Sequence, residues 1–290
     1  MHFCIFLWGF TAILGKLISF ESGLLVWYRM LFSAIGTFIF LLIAKKFERL
    51  RWREFIRISL IGFIVTMHWI TFYGAIKASN VSIAISCFSS IALFTSIIDA
   101  TLHRRLPRKD ELLLSIAVMI GIYIIFAFQQ LYLRGIILSL CSAFLGALFS
   151  VCNKKMLDTH DGGLITFYEL STGFLLLSVL LPLYLHFTGN QFSFPQTNDF
   201  IYLLVLSIVC TTLPFTLSLY ALKNLDAFTL NLSVNLEPLY SIVLAILIFH
   251  ENKILNSGFY IGSCIILLSV VTHALLKYKK VKKEPVQSLP

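Results

Sequence analysis

The sequence predicts an all-α integral membrane protein with ten transmembrane helices, arranged as two inverted five-helix repeats. Three observations carry that expectation. The 290 residues are 58% hydrophobic and only 13% charged, with a mean hydropathy of +0.88, whereas a soluble domain is roughly half apolar and a quarter charged. The apolar residues run in long blocks. A set of sequence marks then recurs in the same order after the fifth block.

The blocks, in order, are 2–19, 24–44, 55–75, 80–99, 112–129, 134–153, 163–187, 200–221, 227–249 and 257–276. Each approaches or exceeds the roughly 18 apolar residues that mark a membrane-crossing helix. Short loops and a basic tail (277–290) remain, with no room for a soluble domain. The first block does not read as a cleaved leader. It has no basic leading region, carries Lys16 within the apolar run and shows no small-residue cleavage site.

Orientation follows lysine and arginine, which concentrate in cytoplasmic loops. One loop holds Lys45, Lys46, Arg49, Arg51, Arg53 and Arg57, and another holds Arg104, Arg105, Arg108 and Lys109. Lys154, Lys155, Lys223 and the lysines of the tail fall on the same side, against Lys77, Arg134 and Lys253 on the other. Both termini are therefore expected in the cytoplasm. The net charge of +9 then reports topology, so no nucleic-acid partner is expected. The six cysteines lack a C-x-x-C pairing and the seven histidines lack metal-ligand spacing, so no disulfide, metal or cofactor is expected. No phosphate-binding loop of the G-x-x-x-x-G-K-[ST] type occurs, which argues against direct use of ATP.

The recurring marks are weak singly and persuasive in order. YGAIKASN (73–80) and YALKNLD (220–226) each close an apolar span, and an ungapped offset aligns Ala75 with Ala221, Lys77 with Lys223 and Asn80 with Asp226. The same offset sets Leu93 on Leu239 and Phe94 on Tyr240. WYR (27–29) and FYE (167–169) open the second span of each half. Five spans is an odd number, so the second copy enters the membrane upside down. That architecture is associated with secondary transporters. The expected units are 1–129 and 130–276, followed by the tail.

The stretches W-G-F-T-A-I-L-G-K (8–16), W-Y-R (27–29), A-I-K (75–77), A-L-K-N (221–224), L-E-P (236–238) and F-H-E (249–251) resemble the drug/metabolite transporter superfamily, EamA type, over essentially the whole chain. The resemblance implies two EamA repeats in a bacterial inner membrane. It also implies movement of small metabolites, amino acids or drugs, as export more than uptake. Two departures stand out. Ile91-Ala92 occupy the place of Glu237-Pro238 in the first half, and His103-Arg104-Arg105 replace the Gly-Glu usual after the fourth span.

Glu237 is the first candidate for a site. A charge at the bilayer centre costs roughly 2.5–3.5 kcal/mol and faces the bundle interior. On a continuous helix Glu237 shares a face with Leu230, Asn231, Ser233, Tyr240, Ser241 and Leu244, with Asn235 beside them. Pro238 removes a backbone donor and is expected to kink the helix, freeing a carbonyl for water or a neighbour. Glu237 is expected to bind a cationic group or a proton; the alternative is a protonated acid that only locks packing. His68 is the second candidate, flanked by Trp69 and Tyr73, which could stack on a substrate; the alternative is a neutral core histidine. Ser82, Ser86 and Ser90, and Ser142, Gly146 and Ser150, read as packing seams. Lys16, Arg29, Lys154 and Glu169 fall near span ends and read as snorkelling side chains, with anion binding by Lys16 or Arg29 as the alternative.

The function expected is secondary transport of a small organic, amino acid-like or drug-like molecule by alternating access, with protons as a candidate coupling ion. A broad-specificity multidrug exporter is the alternative within that class. An intramembrane enzyme would need clustered acids or a His/Asp pair at a membrane face, and a channel would need rings of carbonyls or charges. Neither pattern is present.

Overall fold

Asparagine and aspartate side chains take over free backbone amides at several helix starts, as Asn80, Asp161 and Asp226 do. The computed structural model describes residues 1–104, 106, 109–128, 132–234 and 236–283; Asn235 and the end of the basic tail lie outside them. Among the described residues the elements are helical: α1 (His2–Gly9), α2 (Thr11–Leu17), α3 (Ser22–Ile43), α4 (Trp52–Ala78), α5 (Val81–Phe88), α6 (Ile91–Leu102) and α7 (Lys109–Phe128). They continue with α8 (Leu133–Met156), α9 (Gly162–Thr188), α10 (Thr197–Leu204), a π-helical turn (Val205–Thr212), α11 (Leu213–Asn224), α12 (Ala227–Val234), α13 (Glu237–Phe249), a short 3-10 turn (Glu251–Lys253) and α14 (Ser257–Lys283).

Among the described residues, seven helical segments are long and apolar enough to cross a membrane: Ser22–Ile43, Trp52–Ala78, Val81–Leu102, Leu133–Met156, Gly162–Thr188, Thr197–Asn224 and Ala227–Phe249. The other three expected blocks are helical as well, in α1 with α2, in α7 and in α14. Large apolar side chains such as Ile43, Val179 and Leu247 stand exposed on the outside, as a lipid-facing surface requires.

Two of the spans are broken midway, and the breaks correspond. α5 and α6 lie at the same offset from α12 and α13, with Val81 matching Ala227 and Ile91 matching Glu237. The matched residues Asn80 and Asp226 do the same work: Asn80 Oδ1 accepts from the Ile83 amide at 2.8 Å and Asp226 Oδ1 from the Thr229 amide at 2.7 Å. The kink expected at Pro238 is corrected here. α12 stops at Val234 and α13 restarts at Glu237, with Pro238 in its first turn. There the missing N–H had no intrahelical partner to lose. The first half breaks without any proline. Ser89 and Ser90 turn their hydroxyls onto the carbonyls of Ile85 and Cys87 (3.3 and 2.9 Å), which also accept the Ser89 and Ser90 amides (3.2 and 3.1 Å), and so compete with continuation of the helix.

Packing depends on glycines at crossings. A Cβ on Gly121 of α7 would stand 2.7 Å from the Gly262 carbonyl of α14, and one on Gly262 would meet the Gly121 carbonyl. α4 crosses α9 with equal closeness, since a Cβ on Gly62 would lie 2.5 Å from the carbonyl of Glu169. Small residues let membrane helices approach to backbone contact. Gly121→Ala is expected to destabilise the protein by about 1–3 kcal/mol through overpacking, while Gly74→Ala, with its nearest neighbour at 3.4 Å, should be close to neutral. Thermal melting of the two variants in detergent checks this.

Candidate functional site

A cavity opens where α1, α2, α3, α4, α5, α6, α8, α11, α12 and α13 converge. Its wall carries Trp8, Trp69, Phe72, Phe88, Phe149 and Phe215. Polar groups among them are Arg29, His68, Asn231 and Glu237. The space open to the centre of a water molecule is about 80 Å³, several times the roughly 10–15 Å³ that a single water needs.

Arg29 is the group the sequence reading underrated. It lies two turns inside α3 and is only 3% exposed, so it does not snorkel. Its Nε donates to Thr211 Oγ1 at 2.8 Å, its Nη1 donates to Tyr73 Oη at 2.6 Å, and the guanidinium lies 3.8 Å from the centre of the Trp69 ring. Thr211 is presented by the π-helical turn, whose widened backbone frees carbonyls for side chains. Thr211 Oγ1 donates to the Leu206 carbonyl at 2.6 Å, and Ser33 of α3 donates to the Ser207 carbonyl at 2.9 Å. Such bulges recur at functional sites.

His68 and Asn231 are buried on the same wall. His68 Nδ1 sits 2.9 Å from the Ser142 carbonyl, which can only accept. The proton therefore lies on Nδ1, and Nε2 keeps its acceptor. Phe72, Phe88 and Phe149 surround the ring. Asn231 Nδ2 donates to Thr95 Oγ1 at 2.8 Å and links α12 to α6. Glu237, 4% exposed, faces the cavity from the start of α13, within electrostatic reach of Arg29 but without an ion pair or hydrogen bond among the described residues.

Of the sequence-predicted set, Glu237, His68, Trp69 and Asn231 meet on the cavity wall. Tyr73 and Tyr240 do not. Tyr73 is fully buried behind Arg29, its ring against Gly15. Tyr240 packs on α1, bonding His2 at 2.8 Å and crowding Gly9. The expected common face assumed one unbroken helix from Leu230 to Leu244; α12 ends at Val234 and α13 starts at Glu237, so Asn231 and Glu237 reach the cavity from different helices, while Tyr240 and Ser241, on α13 with Glu237, bond His2 and the Gly9 carbonyl of α1. Asn235 lies outside the described residues. The seams also divide: Ser86 bonds Ser263 across helices at 3.2 Å, whereas Ser150 lies on the cavity wall.

Ionic ties bracket the bundle at both ends. At one end Lys16 pairs with Glu251 at 2.8 Å, and the Glu251 carboxylate, 1% exposed, also accepts from the Val81 and Ser82 amides (3.1 and 3.0 Å) that open α5. At the other end Asp161 caps α9 through the Gly163 amide at 2.9 Å and accepts from Tyr220 Oη at 2.8 Å and Lys46 Nζ at 3.2 Å. Burial pushes the Asp161 carboxyl up, but these three donors outweigh it and hold it below the usual carboxylate range. Lys154 closes α11 by donating to the Leu222 carbonyl at 2.7 Å.

The EamA-like transporter family model matches residues 2–127 and again residues 133–274. The chain belongs to the EamA-like transporter family. Two proteins of Archaeoglobus fulgidus described as "uncharacterized transporter" are similar to it. One is 24% identical over 219 residues, covering 76% of this chain and 75% of the relative. The other is 29% identical over 124 residues, covering 43% of this chain and 42% of the relative. A solved crystal structure superposes with a TM-score of 0.69 over 94% of this chain and 95% of that one, at 16% identity, and thus shares the fold. This EamA protein is an integral membrane transporter.

The EamA cavity also holds Phe149 and Phe215, which the sequence did not single out, and Arg29 and Trp8, for which it offered a place in the site only as an alternative. The signal for Arg29 was present: it stands in WYR at the position where FYE carries Glu169. Thr211→Val should cost about 1.5–3 kcal/mol, the worth of a hydrogen bond to a charged group. Thr212→Val, whose hydroxyl meets only the carbonyls of Ser207 and Ser33, should cost about 1 kcal/mol. Equal losses on thermal melting would show that Arg29 does not depend on Thr211.

Proposed function

We propose that this EamA protein is a ten-helix secondary transporter with two inverted five-helix repeats, 1–129 and 130–276. It exports a small zwitterionic, amino acid-like molecule by alternating access in the cell's inner membrane, with both termini cytoplasmic. The observation that carries the reading is one cation and one carboxylate, Arg29 and Glu237, buried on a single aromatic-walled cavity without pairing to each other. A substrate carboxylate suits the guanidinium, and an ammonium group suits Glu237 and the ring faces. Glu237 also takes the coupling proton when the ammonium leaves, so substrate and proton compete for one group. His68 Nε2 and the Asn231 amide complete the polar contacts, and Trp69 holds Arg29 in place. The breadth of the aromatic wall supports a second reading, a multidrug exporter.

Counterflow into liposomes containing the purified protein, with amino acids, nucleosides and cationic dyes compared across a pH gradient, separates the two. Amino acids are expected to exchange and dyes are not. Loss of one charged hydrogen bond, about 1.5–3 kcal/mol, corresponds to about ten- to a hundredfold weaker binding for Arg29→Gln. Glu237→Gln should abolish the response to the pH gradient. Dye exchange without amino acid exchange supports the multidrug reading, and a Glu237→Gln protein that still responds to pH leaves Glu237 a structural residue.

A further inference from the structure

Glu169 is the eighth residue of α9, as Arg29 is of α3. Both are buried, but their surroundings differ. Arg29 has two hydrogen bonds and an aromatic face. Glu169 is 0% exposed, and neither of its carboxylate oxygens has a hydrogen-bond partner. Next to it on α8 is Asn153, also 0% exposed and close enough to interact with the carboxylate, although among the described residues neither Oδ1 nor Nδ2 makes a hydrogen bond of full geometry. On the α4 side the nearest approach is Gly62, against the Glu169 backbone. The titratable group within electrostatic reach is Cys152 of α8, and no basic side chain bonds Glu169 among the described residues.

Four open polar atoms side by side in an apolar interior are costly, at about 1–3 kcal/mol each, and a bare carboxylate without a counter-charge costs more. A single proton resolves all four after a small side-chain rotation. The Glu169 O–H then donates to Asn153 Oδ1, and Asn153 Nδ2–H donates to the other Glu169 oxygen, closing an acid–amide ring. A hard cation would leave the Asn153 donor unpaired and would need about six oxygens, where this pair offers three. Ser150, one turn before Asn153 on α8, is buried, makes no hydrogen bond and lies on the cavity wall.

We propose that Glu169 and Asn153 form a proton-binding site beside the cavity, loaded from cavity water past Ser150. A hydronium ion gives its proton to the Glu169 carboxylate and remains as water; release reverses the step, with no other bond made or broken. The site is independent of which substrate the cavity takes.

Infrared difference spectroscopy of the full chain in phosphatidylcholine nanodiscs, stepped from neutral to alkaline pH, reads the acid directly. A protonated-carboxyl C=O band is expected at neutral pH and should be lost at high pH. Glu169→Gln should lack it, Glu237→Gln should keep it, and Asn153→Leu should move it to the position of an unbonded acid. A Glu169→Gln spectrum that retains every band overturns the site, as does an ionised Glu169 at neutral pH. Should Glu169→Gln fail to assemble, Asn153→Leu still decides, because an unmoved band excludes the acid–amide ring. Ser150→Ala should slow the deuterium shift of the band without removing it; an unchanged rate overturns the route.

Discussion

A guanidinium stripped of water two turns inside an apolar helix constrains everything around it. Arg29 cannot reach the membrane surface, so the bundle must bring donors' partners to it. α4 supplies Trp69 and Tyr73, one turn apart, and the segment before α11 supplies Thr211. The π-helical turn meets that demand: it presents the Thr211 hydroxyl to Arg29 and the Ser207 carbonyl to Ser33. Tyr73 in turn needs Gly15 beneath its ring. One buried charge therefore fixes the relative placement of α2, α3, α4 and the π-helical turn, and so fixes one wall of the cavity. Glu237 faces it from a helix that begins at the cavity.

The same economy governs the two broken spans. Backbone groups within hydrocarbon must find partners, and both breaks do so locally. Serine hydroxyls serve at 89–90, and at the second break the chain closes through Leu236 N–H on the Ser233 carbonyl at 3.1 Å and Ser233 Oγ on the Thr229 carbonyl at 2.8 Å. The halves share geometry and differ in chemistry. Ile91 stands where Glu237 stands, and Arg29 where Glu169 stands, so charge has been placed on each half in a different register of a common scaffold.

Much of this was legible in the sequence. Block length gave the helices, and the offset that sets Asn80 on Asp226 matched two residues that cap helices in the same way. The part of the site that depends on local chemistry was legible too: a carboxylate amid apolar residues had to face inward, and Glu237 does. The failures came where an assumed periodicity or an assumed depth was wrong. Leu230, Asn231 and Ser233 were put on one helix face with Glu237 by continuing a 3.6-residue repeat from α12 into α13, and Tyr240, three residues along α13 from Glu237, turns to α1 instead. Arg29 and Glu169 were assigned to the surface because they sit near the start of apolar blocks, yet α3 and α9 begin early enough to carry both inside. The local mark of the π-helical turn is Pro214, which cannot donate to the Cys210 carbonyl, whereas the partner of Thr211 lies 182 residues away and leaves no local trace.

The matched breaks have a mechanical consequence. α5 and α12 are eight residues each, well below the roughly 12–15 at which an isolated helix holds itself together. They owe their shape to caps and neighbours, with Glu251 and Asn80 at the head of α5 and Asp226 at the head of α12. Along their length they are packed: every residue of α5 is buried, Ser86 bonds Ser263, and Asn231 ties α12 to α6. A rearrangement confined to these two short rods would move a small fraction of the protein's mass and would have to uncover that packing. The long helices can then stay seated in the lipid as a fixed frame.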